Sequence, residues 1–203
     1  MGRLKCKIIG NQIWTAENLT REQYYDITGR AIPIKNDNWI GFDGAKCYSY
    51  ETNFSIKKRQ YLFDFRSVDL FRFINREDNF WRIPTHSDLD VLFNYIDKRS
   101  TTEYIHDEIA INLRGTYGWS INGSNKIGFN AIPNPILNEG CDFVESETSR
   151  WWFYNDRTFE FEGFGLYQED VVAFCGAHEN NAFAIRLVMD LRNPRIENNV
   201  IYI

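Results

Sequence analysis

The residues of this 203-residue chain that could do chemistry are few and scattered: four cysteines, three histidines and a large set of aromatic rings. Cys6, Cys47, Cys141 and Cys175 contain no Cys-x-x-Cys pair. The one short metal-like spacing, Cys175-Gly176-Ala177-His178, has no second half elsewhere, so no metal site is expected. Four reduced thiols, mostly buried and free of disulfides, are the expected state. His86, His106 and His178 lie far apart, and no Ser-His-Asp or Cys-His-Asn arrangement can be argued from them. His86 falls just inside a helix start, where a cation is disfavoured, and is expected at the surface. Beyond lone Arg or Lys residues, nothing near Cys141 or Cys175 would lower a thiol pKa. The chain is read as no enzyme, with no cofactor.

Recognition chemistry is better represented. Aromatic residues make up 16% of the chain, enough both to fill a core and to supply a binding surface. Trp119, Asn122, Asn125, Tyr154, Asn155, Tyr167 and His178 lie in stretches punctuated by Gly, Asn, Pro and Ser. Rings for stacking beside amides for hydrogen bonding make these seven the candidate ligand-binding residues.

The elements that must position them follow from pattern. Lys7 to Trp14 reads as two short strands around a Gly10-Asn11 turn. Arg30 to Thr52 is loop and short-strand material. Gln60 to Ile74 places its apolar residues at mixed spacing, with a helix from about Asp64. Thr85-His86-Ser87-Asp88 resembles a capping box, and Leu89, Leu92, Phe93 and Ile96 share one helical face, so a helix is expected over about Thr85 to Lys98. Ile105, Ile109 and Leu113 suggest a weaker helical or extended stretch. Short aromatic runs follow Gly115, and the most strand-like run is Ala182 to Met189. With no repeat and no linker, residues 1–203 read as a single α+β domain.

Charge limits the partners. The net charge is -5, which argues against a general nucleic-acid partner. It is unevenly spread: Lys57 to Arg82 holds seven basic residues against four acids, and Asn138 to Asp170 holds nine acids against Arg150 and Arg157. Two solvated faces, or two that meet inside the fold, explain this as well as an acidic surface meeting a partner. The longest apolar run, Val171 to Cys175, is far short of the ~20 residues that insertion across a membrane needs. The N-terminus has positive charge without an apolar stretch behind it, so no signal peptide is expected. The chain then stays in the cytoplasm or becomes part of a virion; a chain whose signal had been removed would read the same and would sit at the cell surface.

Several motifs, in order, resemble one known family. Asn11-Gln12-Ile13-Trp14-Thr15-Ala16-Glu17-Asn18-Leu19 is similar to the opening G-x-x-W-x-A-E-N-L of the Fibrobacter succinogenes major paralogous domain (FISUMP). Cys47-Tyr48-Ser49-Tyr50 and Tyr61 to Phe65 resemble its tyrosine-rich stretch and first helix. Trp81-Arg82-Ile83-Pro84-Thr85 resembles G-W-R-L-P-T, Gly128 to Pro133 resembles G-F-N-A-L-P, and Ile185 to Asp190 resembles V-R-L-V-K-D. The resemblance covers about residues 7–191, leaving 192–203 as a C-terminal extension. One departure stands out: Glu77-Asp78-Asn79-Phe80 replaces the family's Cys-Pro, which removes a disulfide partner for Cys47.

The resemblance implies a C-type-lectin-like fold: paired terminal strands, two main helices, short antiparallel strands and a long irregular loop region, here about Gly115 to Asn181, that carries ligands. It makes Trp14, Glu17, Asn18, Trp81, Arg82, Pro84 and Arg186 motif residues. These are read as scaffold, with Glu17 pairing Arg82 or Arg186, because a core charge persists only when paired. Calcium-binding lectins of this fold carry Glu-Pro-Asn or Gln-Pro-Asp and a later Trp-Asn-Asp. Here Ile132-Pro133-Asn134 lacks the first ligand, and Tyr154-Asn155-Asp156 alone offers too few oxygens. The expected function is therefore a calcium-independent, non-enzymatic binding or adhesion module for a carbohydrate or protein partner. The alternative is a structural or decoration component of a phage virion or another assembly, a possible homo-oligomer. A formylglycine-generating type of enzyme is the third reading.

Overall fold

A computed structural model describes residues 4–35, 45–51, 59–74, 80–134, 136–137, 143–144, 147–167, 170–178, 181–191, 195–197 and 200–202. Cys141, Trp39 and the Glu77-Asp78-Asn79 departure lie outside them. The first half of the chain runs β1 (Cys6–Ile9), β2 (Gln12–Thr15), α1 (Arg21–Thr28), β3 (Ile34–Lys35), β4 (Cys47–Glu51) and β5 (Arg59–Asp64). Next come α2 (Phe65–Asp69), a 3-10 turn (Leu70–Phe73), α3 (His86–Ile96) and α4 (Glu108–Leu113). The rest is β6 (Ile136–Leu137), β7 (Phe143–Val144), β8 (Ser149–Asn155), β9 (Glu160–Leu166), β10 (Val172–Cys175), β11 (Ala182–Phe183), β12 (Val188–Asp190), β13 (Arg195–Glu197) and β14 (Val200–Tyr202).

The architecture is mixed α+β. β1 and β2 form the expected hairpin, with Ile8 opposite Ile13 and Gly10 in the left-handed conformation at φ 62 that its turn requires. β12 pairs antiparallel with β2, so the two ends of the motif-bearing chain share one sheet, ordered β1-β2-β12. A second sheet, β10-β9-β8, is entirely antiparallel. The third runs β3-β4-β5-β11-β6-β7, and β13 pairs with β14 alone. The C-terminal extension therefore adds no strand to the larger sheets among the described residues.

The core consists of two clusters separated by the β8–β10 sheet. Side chains alternate across a strand, and β8 uses the alternation fully. Trp151 and Phe153 pack with Leu89, Leu92 and Phe93 of α3 and Leu113 of α4. Trp152 points the other way, to Tyr24 of α1, Phe63 of β5 and Phe183 of β11. A sheet that is apolar on both faces must be covered on both: α3 and α4 cover one, while α1, α2 and residues of the larger sheet cover the other.

The helix expected from Thr85 is α3. Thr85 Oγ1 accepts from the Asp88 N–H while the Asp88 carboxylate accepts from the Thr85 N–H, and the helix ends at Ile96. The helix expected from Asp64 is α2 and its 3-10 turn, with Asp64 itself as cap. Ile109 and Leu113 lie in α4.

Two expectations change. Ala182 to Met189 is not one strand: β11 pairs with β5 and β6, β12 pairs with β2, and the buried residues Ala184 to Leu187 pass between the two sheets. Nor is Gly115 to Asn181 irregular throughout, because β8, β9 and β10 occupy much of its second half. Gly163 and Gly165 there are close-packing positions in β9 rather than loop punctuation. A Cβ on Gly163 would lie 2.8 Å from Cys175 Sγ and from the Phe183 ring.

Trp14 is fully buried and Trp81 nearly so. Trp14→Ala and Trp81→Ala are each expected to destabilise the domain by about 3–5 kcal/mol, as for a large core ring. Urea unfolding checks this, and midpoints equal to wild type would contradict the placement of either ring.

Candidate functional site

Most of the scaffold motif residues fall into two hydrogen-bonded groups, one around Asn18 and Arg186 and one around Asp88. Asn18 Oδ1 accepts from Arg186 Nε at 2.7 Å and from Trp151 Nε1 at 2.9 Å, and its Nδ2 donates to Gln60 Oε1 at 3.2 Å. Arg186 Nη1 donates to the Thr15 and Phe129 carbonyls, both at 2.8 Å, and the guanidinium lies over the Phe129 ring at 4.6 Å. Burial lowers the Arg186 pKa from 12.5 to about 9, against the opposing charge of Glu17. Trp14 Nε1 donates to Gln12 Oε1 at 3.0 Å, and Gln12 Nε2 donates to Asp88 Oδ1 at 2.6 Å. Pro84 is buried, and its carbonyl accepts from the Tyr154 N–H at 2.7 Å.

The expected pairing of Glu17 is corrected. Its carboxylate takes Lys5 Nζ at 3.0 Å, while Arg82 is held by Asp88 and by Asp190 at 3.1 Å. Among the described residues no carboxylate contacts Arg186; carbonyls and an amide accept from it instead. Glu17 is only half-buried, and it influences Arg186 by charge rather than by direct hydrogen bonding.

The seven candidate ligand residues do not form one site. Trp119 is buried, with Nε1 donating to the Ala131 carbonyl at 2.9 Å and the Arg114 guanidinium 4.8 Å over its ring. Asn155 is also buried: its Oδ1 accepts from the Arg157 and Thr158 N–H groups, and its Nδ2 donates to Glu162, closing the β8–β9 turn. Both were expected as ligand contacts, and both are structural because their polar atoms are spent locally. Asn125 closes its own loop by accepting from the Asn130 N–H at 2.8 Å. Asn122 is exposed, its Oδ1 accepting from the Trp119 N–H at 3.3 Å. Tyr154 is half-buried against Phe161, with Arg72 5.1 Å over its ring. Tyr167 follows β9 at the opposite end of the β8–β9 ladder, and exposed His178 follows β10.

Around Tyr167 the structure gathers two residues outside the sequence candidates. Its hydroxyl accepts from Arg150 Nη2 at 2.9 Å, and the guanidinium lies 5.6 Å from its ring centre. The Arg150 N–H in turn donates to Asn134 Oδ1 at 3.1 Å. The available signal for Arg150 was its rarity, as one of two cations within an acidic stretch. Asn134 had been weighed only for calcium.

His86 is not a surface residue. Its ring is half-buried between Phe153 and Phe174, at 4.9 and 5.3 Å. Cys6, Cys47 and Cys175 are free thiols. Burial pushes Cys6 up to about 11 and Cys47 up to about 12, and it raises Cys175 as well. Asp156 of the Tyr154-Asn155-Asp156 triplet accepts from Ser87 Oγ at 3.3 Å. Among the described residues no group of three His, Cys, Asp or Glu is placed to hold a metal ion. No helix among them is long and apolar enough to cross a membrane.

Paired terminal strands, a capped central helix and a buried Asn–Arg–Trp network define a mixed α+β domain built around its sequence motifs. The chain belongs to the Fibrobacter succinogenes major domain family, which it matches over residues 8–189. No curated protein and no solved structure matches it.

The buried thiols set a pH dependence. The Cys47 pKa rises from 9.0 in an open chain to about 12 in the fold, so the fold favours the neutral thiol. That contribution is complete below pH 9 and is lost as pH rises toward 12. Buried Tyr24, raised by burial and by Asp64, acts in the same direction. Arg186, lowered to about 9, acts oppositely, so the test is the difference: above pH 9 the urea midpoint of wild type should drop relative to that of Cys47→Ala, and a difference that does not change with pH would contradict it. Alkylation in denaturant without reductant should modify all four thiols, whereas two or fewer would reveal an oxidised pair.

Proposed function

We propose that this domain is a calcium-independent, non-enzymatic binding module of C-type-lectin-like fold, recognising a carbohydrate or protein partner at its loop ends. The pairing of β2 with β12 and the packing of α3 and α4 on one face of the β8–β10 sheet agree with that fold. One observation carries the functional reading. Asn18 and Arg186 turn their hydrogen-bonding atoms inward, onto Thr15, Phe129, Gln60, Trp151 and each other, which suits a frame rather than a reaction centre. Accessible polar and aromatic groups lie instead at Asn122, Tyr167 and His178.

A component of a larger assembly, a phage virion among them, is the second reading. It is favoured by the separate β13–β14 pair, which lies beyond the family match. Light scattering on a sizing column separates the two: a monomer supports the module, and a stable homo-oligomer supports the assembly.

A glycan array and a peptide library, each probed with and without chelator, test the first reading. Binding should survive the chelator, and joint Tyr167→Ala and His178→Ala should weaken it at least tenfold. The melting temperature should move little, as for changes outside a core. Binding that vanishes with chelator, or that the double variant leaves untouched, would overturn this placement.

A further inference from the structure

Half-buried and buried guanidinium groups among the described residues are matched to carboxylates or carbonyls, with one exception, although the buried Nε of Arg114 also lacks a partner. Arg82 meets Asp88 and Asp190, and Arg114 meets Asp170 at 2.5 Å and the Tyr167 carbonyl. Arg186 is saturated by Asn18 and backbone carbonyls. Arg150 has no carboxylate within 4.0 Å among the described residues, and its buried Nε has no hydrogen-bond partner. Its one side-chain bond goes to the Tyr167 hydroxyl. Beside it, fully buried Asn134 spends Oδ1 on the Arg150 N–H and leaves its buried Nδ2 without an acceptor. Tyr167, having accepted from Arg150, still has a hydroxyl proton to donate.

We propose that Arg150, Asn134 and Tyr167 form a subsite for a carboxylate, at the end of the β8–β9 ladder away from its turn. This subsite deepens the binding-module reading and rests on it. Two hydrogen bonds join Asn134, Arg150 and Tyr167 in a row, and the Nε–H of Arg150 and the amide of Asn134 are buried without an acceptor among the described residues. Leaving buried donors unpaired is costly, most of all on a charged group. A water molecule could accept from two of them but would leave the guanidinium charge uncompensated. A carboxylate accepts through both oxygens, matches the side edge of a guanidinium and carries one charge to meet one charge. A doubly charged phosphate fits less well in a stretch that already holds nine acids. Arg150 and Tyr167 are half-buried, and Asn134 is fully buried.

Calorimetric titration of the whole chain tests this with D-galacturonate and N-acetylglycine, each against its neutral counterpart, D-galactose or N-acetylglycinamide. These arms separate a sugar acid from a free acid of peptide type. At least one carboxylate is expected to bind at concentrations up to about 10 mM, with its neutral counterpart at least tenfold weaker. Tyr167→Phe, which keeps the ring and removes only the hydroxyl, should weaken binding about tenfold, and Arg150→Gln should abolish it. Two-dimensional amide spectra confirm that each variant remains folded; Tyr167→Phe carries the test if Arg150→Gln does not fold. Equal binding of acid and neutral probe, unchanged affinity in Tyr167→Phe, or no carboxylate binding at all would overturn the subsite. A partner found on the arrays without any carboxylate response would leave the binding-module reading standing and remove this inference alone.

Discussion

The fold depends on one buried charge. Arg186 is wholly enclosed, and a guanidinium out of water is tolerated only when its donors are met. Here Nε goes to Asn18, and Nη1 is shared between the carbonyls of Thr15 and Phe129. These acceptors lie in different places: Thr15 ends β2, Asn18 follows it, and Phe129 belongs to the long loop after α4. None can move without stranding a charge. Asn18 Oδ1 also receives the indole N–H of Trp151, so the same amide ties the terminal sheet to the sheet that divides the core. Asp88 fixes the other flank. It closes the α3 capping box, pairs with Arg82 and receives Gln12, which in turn receives Trp14.

That economy explains which parts of the fold were legible. A helix start announces itself through local chemistry, so Thr85 and Asp88 located α3 closely. The Gly10 turn and the alternation around it likewise located β1 and β2. Helix α1 carries equally local signals, a Thr20–Gln23 capping box and Gly29 at φ 66, yet no element had been assigned there. Its apolar face is too thin to stand out: Tyr24 is the buried residue. β8 to β10 were hidden for another reason. Glycines and charges in β9 imitate a loop, although Gly163 is required by the sulfur and ring packed against it.

The candidate site was legible in part. Tyr167 is legible from its setting, but its partner is not, because Arg150 meets it, and Asn134 meets Arg150, only through long-range hydrogen bonds. Trp119 and Asn155 had the composition of ligand residues. What sequence does not give is direction: the indole of Trp119 turns in to the Ala131 carbonyl, and the amide of Asn155 turns back on its own hairpin. The Glu17 pairing failed similarly. The rule that a buried charge needs compensation was right, but for Arg186 the compensation came from carbonyl dipoles rather than a carboxylate.

Packing on both faces also determines where recognition can reside. Along the middle of β8 each side chain is committed: Trp151 and Phe153 to the helices, Trp152 to the larger sheet. Uncommitted polar atoms survive only where the ladder ends. At the turn end Asn155 has already consumed them. At the other end Ser149 binds the Ile132 carbonyl, and the next residue, Arg150, turns to the opposite face, where Tyr167 meets it. An ion pair with one of the surrounding acids would have been the simplest way to satisfy that guanidinium. With none among the described residues, an acceptor from outside that bound here would stabilise the folded state by mass action.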